Sequence, residues 1–219
     1  MARKKKDIIR LLEDSNYPAL TDRILKDRKV ITILLSLTYD RKSYLSWRAM
    51  EVIGIATAEI AKTDRDAVRD IANRMLWMMR DESGGIAWSN PEILGEIVRN
   101  NPVLCADLAP IIMSFHEELM FTAGVLRAMG RIGRLNDDLY TYATPIIRSL
   151  LNARDNQVRG YGAWALGEML CSEARDELEA LRADDSIVDF YEDKTVVKKT
   201  VGELTQEALN KISEPAAGL

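Results

Sequence analysis

A glycine recurs through this sequence at the end of a short apolar segment. The segments are WRAMEVIG, WSNPEILG, AGVLRAMG, GYGAWALG and TVVKKTVG, which end at Gly54, Gly95, Gly130, Gly167 and Gly202. Successive glycines are therefore 41, 35, 37 and 35 residues apart, a period that suits two helices and their connections. Because glycine inside a helix costs about 1 kcal/mol relative to alanine, its recurrence indicates close packing between neighbouring helices.

Amphipathic runs lie between the glycine-bearing segments, with apolar residues at steps of three and four. Ala67, Ile71, Met75 and Met79 form one such run. Each repeat is therefore predicted to contain a helix A, a turn and a glycine-bearing helix B. The predicted A helices cover about 28–39, 65–80, 102–117, 137–152 and 173–182, and the predicted B helices cover about 44–61, 90–99, 119–134, 156–171 and 199–212.

The chain is predicted to form one domain over residues 1–219. Residues 1–27 are expected to form an N-terminal cap with one helix and a turn at Pro18, residues 28–183 the repeats, and residues 184–219 an irregular C-terminal cap. In this last part, β-branched and aromatic residues flank the sequence Glu-Asp-Lys at 192–194, a pattern that favours a short β-hairpin near 186–200.

The segment VRGYGAWALGEML, residues 158–170, resembles the second helix of a HEAT repeat, and residues 155–157, Asp-Asn-Gln, resemble the turn within such a repeat. The resemblance covers most of residues 28–212 and includes the bilin-lyase type of HEAT repeat. It implies an all-α fold in which about five helix pairs form an α/α right-handed superhelix. Because such repeats mostly bind proteins, the resemblance implies a protein or peptide partner rather than a reaction.

Composition narrows the range of partners. Lys and Arg total 30 against 34 for Asp and Glu, and this net charge of -4 argues against a nucleic acid. The longest apolar runs are far shorter than the roughly 18 residues that a membrane span needs, and charged residues after the basic start argue against a signal peptide. Cys105 and Cys171 lack the spacing of a zinc site. We therefore expect a cytoplasmic protein with reduced thiols and no cofactor, while the oligomeric state and metal binding stay open.

The resemblance implies that the B helices line a concave groove, in which equivalent positions of successive repeats form rows. Positions three before and one after each glycine are four residues apart, so they lie on one helical face. The candidate groove residues in and beside these rows are Trp47, Glu51, Trp88, Glu92, Glu96, Arg127, Arg131, Trp164 and Glu168. In one interpretation the acids bind a basic peptide, an amine or a metal, and the tryptophans act as apolar anchors. In the other, Arg127 and Arg131 pair with flanking glutamates in a solvated lattice worth less than about 1 kcal/mol per pair.

A break follows the second A helix, in the sequence Asp-Glu-Ser-Gly-Gly at 81–85. The glycines can end the helix in a left-handed conformation. Asp81 and Glu82 would face the negative end of the helix dipole, which is unfavourable. They are candidates, together with Ser83, for a loop site that binds a ligand or a cation. The alternative is structural, since the start of the next helix could accept both carboxylates.

The next helix begins with a recognisable capping pattern. Ser89 and Glu92 have the spacing of a capping box, in which each side chain binds the backbone NH of the other residue. Trp88 is expected to pack on Ile93 as a hydrophobic staple. This pattern predicts that the segment 88–93 mainly starts a helix.

The leading functional interpretation is a protein-interaction or scaffold module that binds a partner in its concave groove. No GxxxxGK[ST], GxSxG or HExxH motif is present, and the one histidine, His116, is expected to cap the end of a helix. One alternative is a HEAT-like enzyme of the alkylpurine DNA glycosylase type, although the rows are mostly acidic. The other is a small-ligand or metal binder near Asp81, Glu82 and Glu92.

Overall fold

The computed structural model describes residues 2–80 and 88–213. The chain divides into two compact units: unit 1 contains Met1–Leu108 and Tyr191–Val196, and unit 2 contains Ala109–Phe190 and Val197–Leu219. The predicted boundaries between caps and repeats stay a prediction.

Unit 1 is built from helices, a 3-10 turn and the turn end of the β-hairpin. Its helical elements are α1 (Ala2–Glu13), α2 (Tyr17–Lys26), α3 (Lys29–Leu35), α4 (Tyr44–Ala61), α5 (Arg65–Arg80), α6 (Asn90–Asn100), α7 (Pro102–Cys105) and the 3-10 turn Ala106–Leu108. The side chain of Asn16 caps α2 by accepting a hydrogen bond from the backbone NH of Ala19 at 3.2 Å. Pro18 lies in the first turn of α2, where its missing NH is not needed. The expected single helix with a turn at Pro18 is therefore wrong, because residues 1–27 contain two helices, α1 and α2.

Unit 2 contains helices and most of one β-hairpin. Its elements are α8 (Ala109–Ser114), the 3-10 turn Phe115–Glu117, α9 (Thr122–Ile132), α10 (Asp137–Leu150), α11 (Asn156–Glu168), the 3-10 turn Ser172–Ala174, α12 (Arg175–Leu181), β1 (Ile187–Glu192), β2 (Thr195–Thr200) and α13 (Val201–Ser213). A two-residue turn joins β1 to β2, so the strands pair antiparallel. Helices otherwise dominate the described residues, and the predicted all-α fold with a short hairpin is confirmed.

Close packing between B helices explains two of the recurring glycines. A Cβ at Gly54 of α4 would lie 2.8 Å from both the Cβ and the carbonyl oxygen of Glu96 on α6. A Cβ at Gly167 of α11 would lie 2.6 Å from the Cα of Ala208 on α13. Only glycine permits such a close approach of two backbones. The predicted close packing of glycine-bearing B helices is confirmed within each unit.

The segment that ends at Gly202 differs from the other four. Most of TVVKKTVG forms β2, and Gly202 is the second residue of α13 rather than an interior one. A Cβ there would lie 2.5 Å from the backbone carbonyl oxygen of Arg182. This glycine therefore makes room for the chain that follows α12, not for a neighbouring B helix.

The third predicted A helix, 102–117, is wrong as a continuous helix. The chain forms α7, a 3-10 turn, α8 and a second 3-10 turn instead. Pro110 lies in the first turn of α8. It has no NH for the carbonyl four residues earlier, and its ring clashes with that carbonyl. The helix is therefore interrupted at the 3-10 turn Ala106–Leu108, which begins four residues before Pro110.

The predicted turn within the fourth repeat has the expected role. Asp155 caps α11, and its carboxylate accepts a hydrogen bond from the backbone NH of Gln157 at 2.7 Å.

Each unit has its own apolar core; Ile53 and Ile93 are fully buried in unit 1, and Leu126 and Leu166 in unit 2. Burying such a side chain contributes about 1.5–3 kcal/mol. Among the described helices, none is long and apolar enough to cross a membrane.

An ion pair connects α5 to the 3-10 turn that ends unit 1. The guanidinium of Arg69 donates to both carboxylate oxygens of Asp107, at 2.6 and 2.9 Å, and to the carbonyl oxygen of Leu104 at 3.2 Å. The hydrogen bonds from Arg69 hold the pKa of Asp107 below its usual value.

Replacing Asp107 by asparagine is expected to destabilise the protein by less than about 1 kcal/mol at pH 7, because 61% of the Asp107 side chain is exposed. The pKa of Asp107 is lower in the folded than in the unfolded chain. Its stabilising contribution is therefore present above the unfolded pKa, about 3.9, and is lost as the pH falls through the folded pKa. Urea denaturation at pH 7 and at a pH below the folded pKa measures this. The wild type and Asp107→Asn should differ in their free energy of unfolding at pH 7 only. The control Asp22→Asn, at an exposed position of α2, should match the wild type at both pH values.

Candidate functional site

Trp47, the first predicted apolar anchor, is buried in unit 1. Its ring stacks on Tyr191 of β1, with 5.4 Å between ring centroids and an interplanar angle of 11°. Its indole NH donates to the backbone carbonyl oxygen of Arg41 at 2.8 Å. The indole face that was predicted to anchor a partner therefore already contacts an aromatic ring of the same chain.

Glu51 lies one helical turn after Trp47 on α4 and accepts hydrogen bonds from two tyrosines. The hydroxyl of Tyr17 donates to its Oε2 at 2.6 Å, and the hydroxyl of Tyr191 donates to the same oxygen at 2.8 Å. Burial, with the neighbouring Glu51 carboxylate, raises the pKa of both phenols, so they stay protonated donors. We call Tyr17, Trp47 and Glu51 the tyrosine seat, since together they hold the side chain of Tyr191.

Glu92 is buried at the start of α6. Its side chain is 2% exposed, and its Oε1 lies 3.0 Å from Nε of Arg41. The hydroxyl of Ser89 donates to the backbone carbonyl oxygen of Thr38 at 2.6 Å and makes no capping hydrogen bond. The predicted capping box is therefore wrong, because both of its side chains bind the loop that joins α3 to α4.

The two other candidate residues of unit 1 differ in exposure. Trp88 is 57% exposed, and its backbone carbonyl oxygen accepts a hydrogen bond from the guanidinium of Arg41. Glu96 is half-buried and lies 3.8 Å from a guanidinium nitrogen of Arg99 on the same helix. Of the candidate side chains in unit 1, Trp88 is thus the one that presents a large apolar surface to solvent.

In unit 2 the candidates form an aromatic and cationic cluster. The guanidinium carbon of Arg127 lies 4.0 Å from the ring centroid of Trp164 and 4.8 Å from that of Phe190. Trp164 is buried, Arg131 is half-buried, and the carboxylate of Glu168 pairs with the ammonium of Lys211. Such contacts between a cation and an aromatic face stabilise by about 0.5–2 kcal/mol each.

The predicted loop site at Asp81, Glu82 and Ser83 lies outside the described residues. Within the described part of the chain, no group of three or more His, Cys, Asp or Glu side chains could hold a metal ion. Nδ1 of His116 lies 3.0 Å from the carbonyl oxygen of Met113, which is the geometry of a helix-end cap.

A pocket of about 430 Å³ lies between α3 and α5 in unit 1. Its lining is mainly apolar on both helices. The described lining residues are Arg28, Ile31, Thr32, Leu35, Ser36, Tyr39, Ala67, Asp70, Ile71, Arg74, Met75 and Met78. The volume falls in the range of about 300–1,000 Å³ that is usual for binding clefts. We call this cleft the α3/α5 pocket.

Exposed aromatic side chains extend the apolar surface around this pocket. Tyr39 lines it and is 49% exposed, and Trp77 on α5 is 64% exposed. Seven positions separate Trp77 from Asp70, so the two lie on nearly the same side of α5. The surface around the pocket is therefore apolar over a wider area than the pocket itself.

Sequence reasoning missed this pocket because it looked for a site on the B helices, whereas α3 and α5 are A helices. The lining residues of α5 recur at steps of three and four, a pattern that fits core packing equally well. Trp77 lies outside the apolar, core-facing stripe of α5, but single exposed apolar side chains are common and do not by themselves indicate a pocket. The gap between two helices depends on tertiary packing and leaves no local mark.

Comparisons with known proteins support no assignment of a family. No protein-family model matches the chain. An uncharacterised protein of Archaeoglobus fulgidus is 26% identical over 185 residues, which are 84% of this chain and 95% of that protein.

Three similar solved structures are engineered proteins. A designed armadillo repeat protein has a TM-score of 0.46 at 14% identity, covering 95% of this chain and 93% of its own. Two other engineered proteins have TM-scores of 0.47 and 0.44 at 16% and 15% identity, covering 96% and 95% of this chain and 92% and 89% of their own. Function is therefore inferred from the geometry of the site.

Proposed function

We propose that this protein is an interaction module whose α3/α5 pocket binds an amphipathic segment of a partner protein. The observation that supports this is the open, mainly apolar cleft between two helices, with exposed aromatic side chains beside it. A helix laid into an apolar groove is a recurring mode of peptide recognition. Solvent-exposed apolar surface of this kind marks interaction sites in soluble proteins.

Methionines in the pocket suit a flexible recognition surface. Met75 and Met78 both line the cleft on α5. Methionine side chains are unbranched and polarisable, so they adapt to irregular apolar shapes. We infer that the partner inserts one or two bulky apolar side chains between α3 and α5.

The charges at the pocket favour an acidic flank on the partner. Arg28 and Arg74 line the pocket, against one acid, Asp70. Arg28 also pairs with Asp64, at 2.9 Å. Since Asp64 already pairs with Arg28, the lining cation that an acidic residue next to the apolar anchors would meet is Arg74. Such a contact raises the association rate and favours the correct partner.

Binding is tested with peptides selected from a random display library against the intact protein. We expect the selected peptides to combine bulky apolar and acidic residues. Replacing Ile71 by glutamate places a carboxylate in the apolar cleft and should weaken their binding by about tenfold or more, as expected for a buried anchor contact. Fluorescence anisotropy with labelled peptides measures the affinity.

Asn73→Glu is the matched control, because it makes the same charge change at an exposed position of α5 that does not line the pocket. Its affinity should equal that of the wild type, and circular dichroism should show that both variants are folded. Peptides that bind both variants as tightly as the wild type would contradict the proposal. Small apolar molecules that fill the pocket while no peptide binds would do so as well.

Location in the cytoplasm is part of the same proposal. Cys105 and Cys171 are both free thiols and both buried. Thiols of this kind are usual in the reducing cytoplasm, whereas exported proteins tend to pair their cysteines.

A further inference from the structure

The turn of the hairpin, residues 191–196, packs within unit 1 through several specific contacts. Tyr191 fills the tyrosine seat through its stacked ring and its hydrogen bond to Glu51. The ammonium of Lys194 lies 4.8 Å from the ring centroid of Tyr17, and its backbone carbonyl oxygen accepts a hydrogen bond from Nε of Arg48 at 2.8 Å. The residues of unit 1 thus bind a tyrosine side chain at position 191 and a lysine side chain three positions later, at 194.

The backbone of this turn is strained. Asp193 and Lys194 have φ values of 46° and 63°, as in a type I′ turn. Such turns favour Asn-Gly or Asp-Gly, because glycine has no Cβ to resist a positive φ. A lysine at the second position therefore resists the conformation, and the contacts with unit 1 hold it there. Strain of this kind concentrates at ligand clamps and switch regions.

We propose that the tyrosine seat is a binding site for a tyrosine-bearing segment of a partner protein, and that the hairpin turn fills this site when the partner is absent. The segment carries a basic residue three positions after its tyrosine. An incoming segment gains the stacking and hydrogen-bond contacts of Tyr191 without holding a strained turn. A second copy of this chain would bring the same strained turn and would gain nothing from the exchange, so the occupant is a different protein. This proposal is independent of the α3/α5 pocket.

The test uses the intact protein and a fluorescein-labelled peptide of sequence DFYEDKT, residues 189–195, followed by anisotropy. Tyr191→Ala vacates the seat and should bind the peptide about tenfold more tightly than the wild type, because the competing turn no longer lowers the competent fraction. Adding Glu51→Gln to that variant should remove most of this gain. A peptide with phenylalanine for its tyrosine should bind about tenfold more weakly, since it lacks the hydrogen bond to a charged acceptor.

Two further variants keep the result interpretable. Asp193→Gly relieves the positive φ of the first turn residue, leaves Lys194 in place and should lower the affinity of the peptide several-fold. Tyr142→Ala removes an exposed tyrosine of α10 and should bind as the wild type does. If Tyr191→Ala fails to fold by circular dichroism, Tyr191→Phe replaces it and should bind more tightly than the wild type by a smaller factor.

Three results would overturn the proposal. The first is equal affinity of the wild type and the vacated variant for the peptide. The second is equal affinity of the tyrosine and phenylalanine peptides. The third is a wild-type dimer, detected by analytical ultracentrifugation and abolished by Tyr191→Phe, which would assign the seat to a second copy of this chain.

Discussion

Replacing Gly167 by alanine is expected to destabilise the protein by about 2 kcal/mol, although alanine is the better helix former. The new Cβ would lie 2.6 Å from the Cα of Ala208 and 2.7 Å from its Cβ. A backbone atom cannot move aside alone, so α11 and α13 have to separate and lose contacts along their interface. For a chain of this size the change corresponds to a fall in Tm of about 4–8 °C, measurable by circular dichroism.

Gly162→Ala is the matched control, because it makes the same change in the same helix. There the new Cβ would lie 3.2 Å from Cδ2 of Leu151, a flexible side-chain atom that can move by a few tenths of an ångström. Stability should stay the same or rise by at most about 1 kcal/mol, the gain in helix propensity. Equal destabilisation by both substitutions would show that close packing against α13 does not require glycine at position 167.

These glycines also show why the helix pairs could be predicted from the sequence. A close contact between two backbones has to be made by a small residue, so it leaves a mark at the position of contact in the helices that make it. Gly54 and Gly167 carry that mark, and the spacing between such positions gave the repeat. Asp155 left a second local mark, because helix caps are made by neighbouring residues. β1 and β2 were predicted for a similar reason, since their β-branched and aromatic residues surround a short turn.

Contacts between distant residues left no such mark. Tyr191 donates to Glu51 across 140 residues of sequence, and no local pattern connects the two. Helical spacing correctly placed Trp47 and Glu51 on one face of α4, but it could not show what covers that face. The same holds for Trp164 in unit 2, whose ring meets that of Phe190 at a centroid distance of 5.9 Å.

Some errors came from signals that the sequence did contain. Pro110 is incompatible with an uninterrupted helix over 102–117, and the 3-10 turn Ala106–Leu108 interrupts the helix before it. Ser89 and Glu92 have the spacing of a capping box, yet each binds a residue of the loop between α3 and α4. The guanidinium of Arg41 offers the carboxylate of Glu92 a full positive charge, whereas a backbone NH offers only a partial one. Local motifs therefore predicted where α6 starts but not what its first side chains bind.

The ion pair between Arg41 and Glu92 is the basis of the second large prediction. Replacing Arg41 by methionine is expected to destabilise the protein by about 2–3 kcal/mol, because it leaves the carboxylate of Glu92 buried without this guanidinium. The value lies at the low end for buried pairs, since the Arg41 side chain is 31% exposed while that of Glu92 is 2% exposed. Arg41 also donates to the backbone carbonyl oxygen of Trp88, and that hydrogen bond is lost as well.

The double variant Arg41→Met with Glu92→Met separates the cost of the buried charge from the loss of packing. Two apolar side chains of similar length can replace a buried ion pair at little cost, so the double variant should be more stable than Arg41→Met alone. Urea denaturation at pH 7 of the wild type, both single variants and the double variant gives the coupling energy. Strictly additive effects of the two substitutions would show that Arg41 stabilises the start of α6 by packing rather than by its charge.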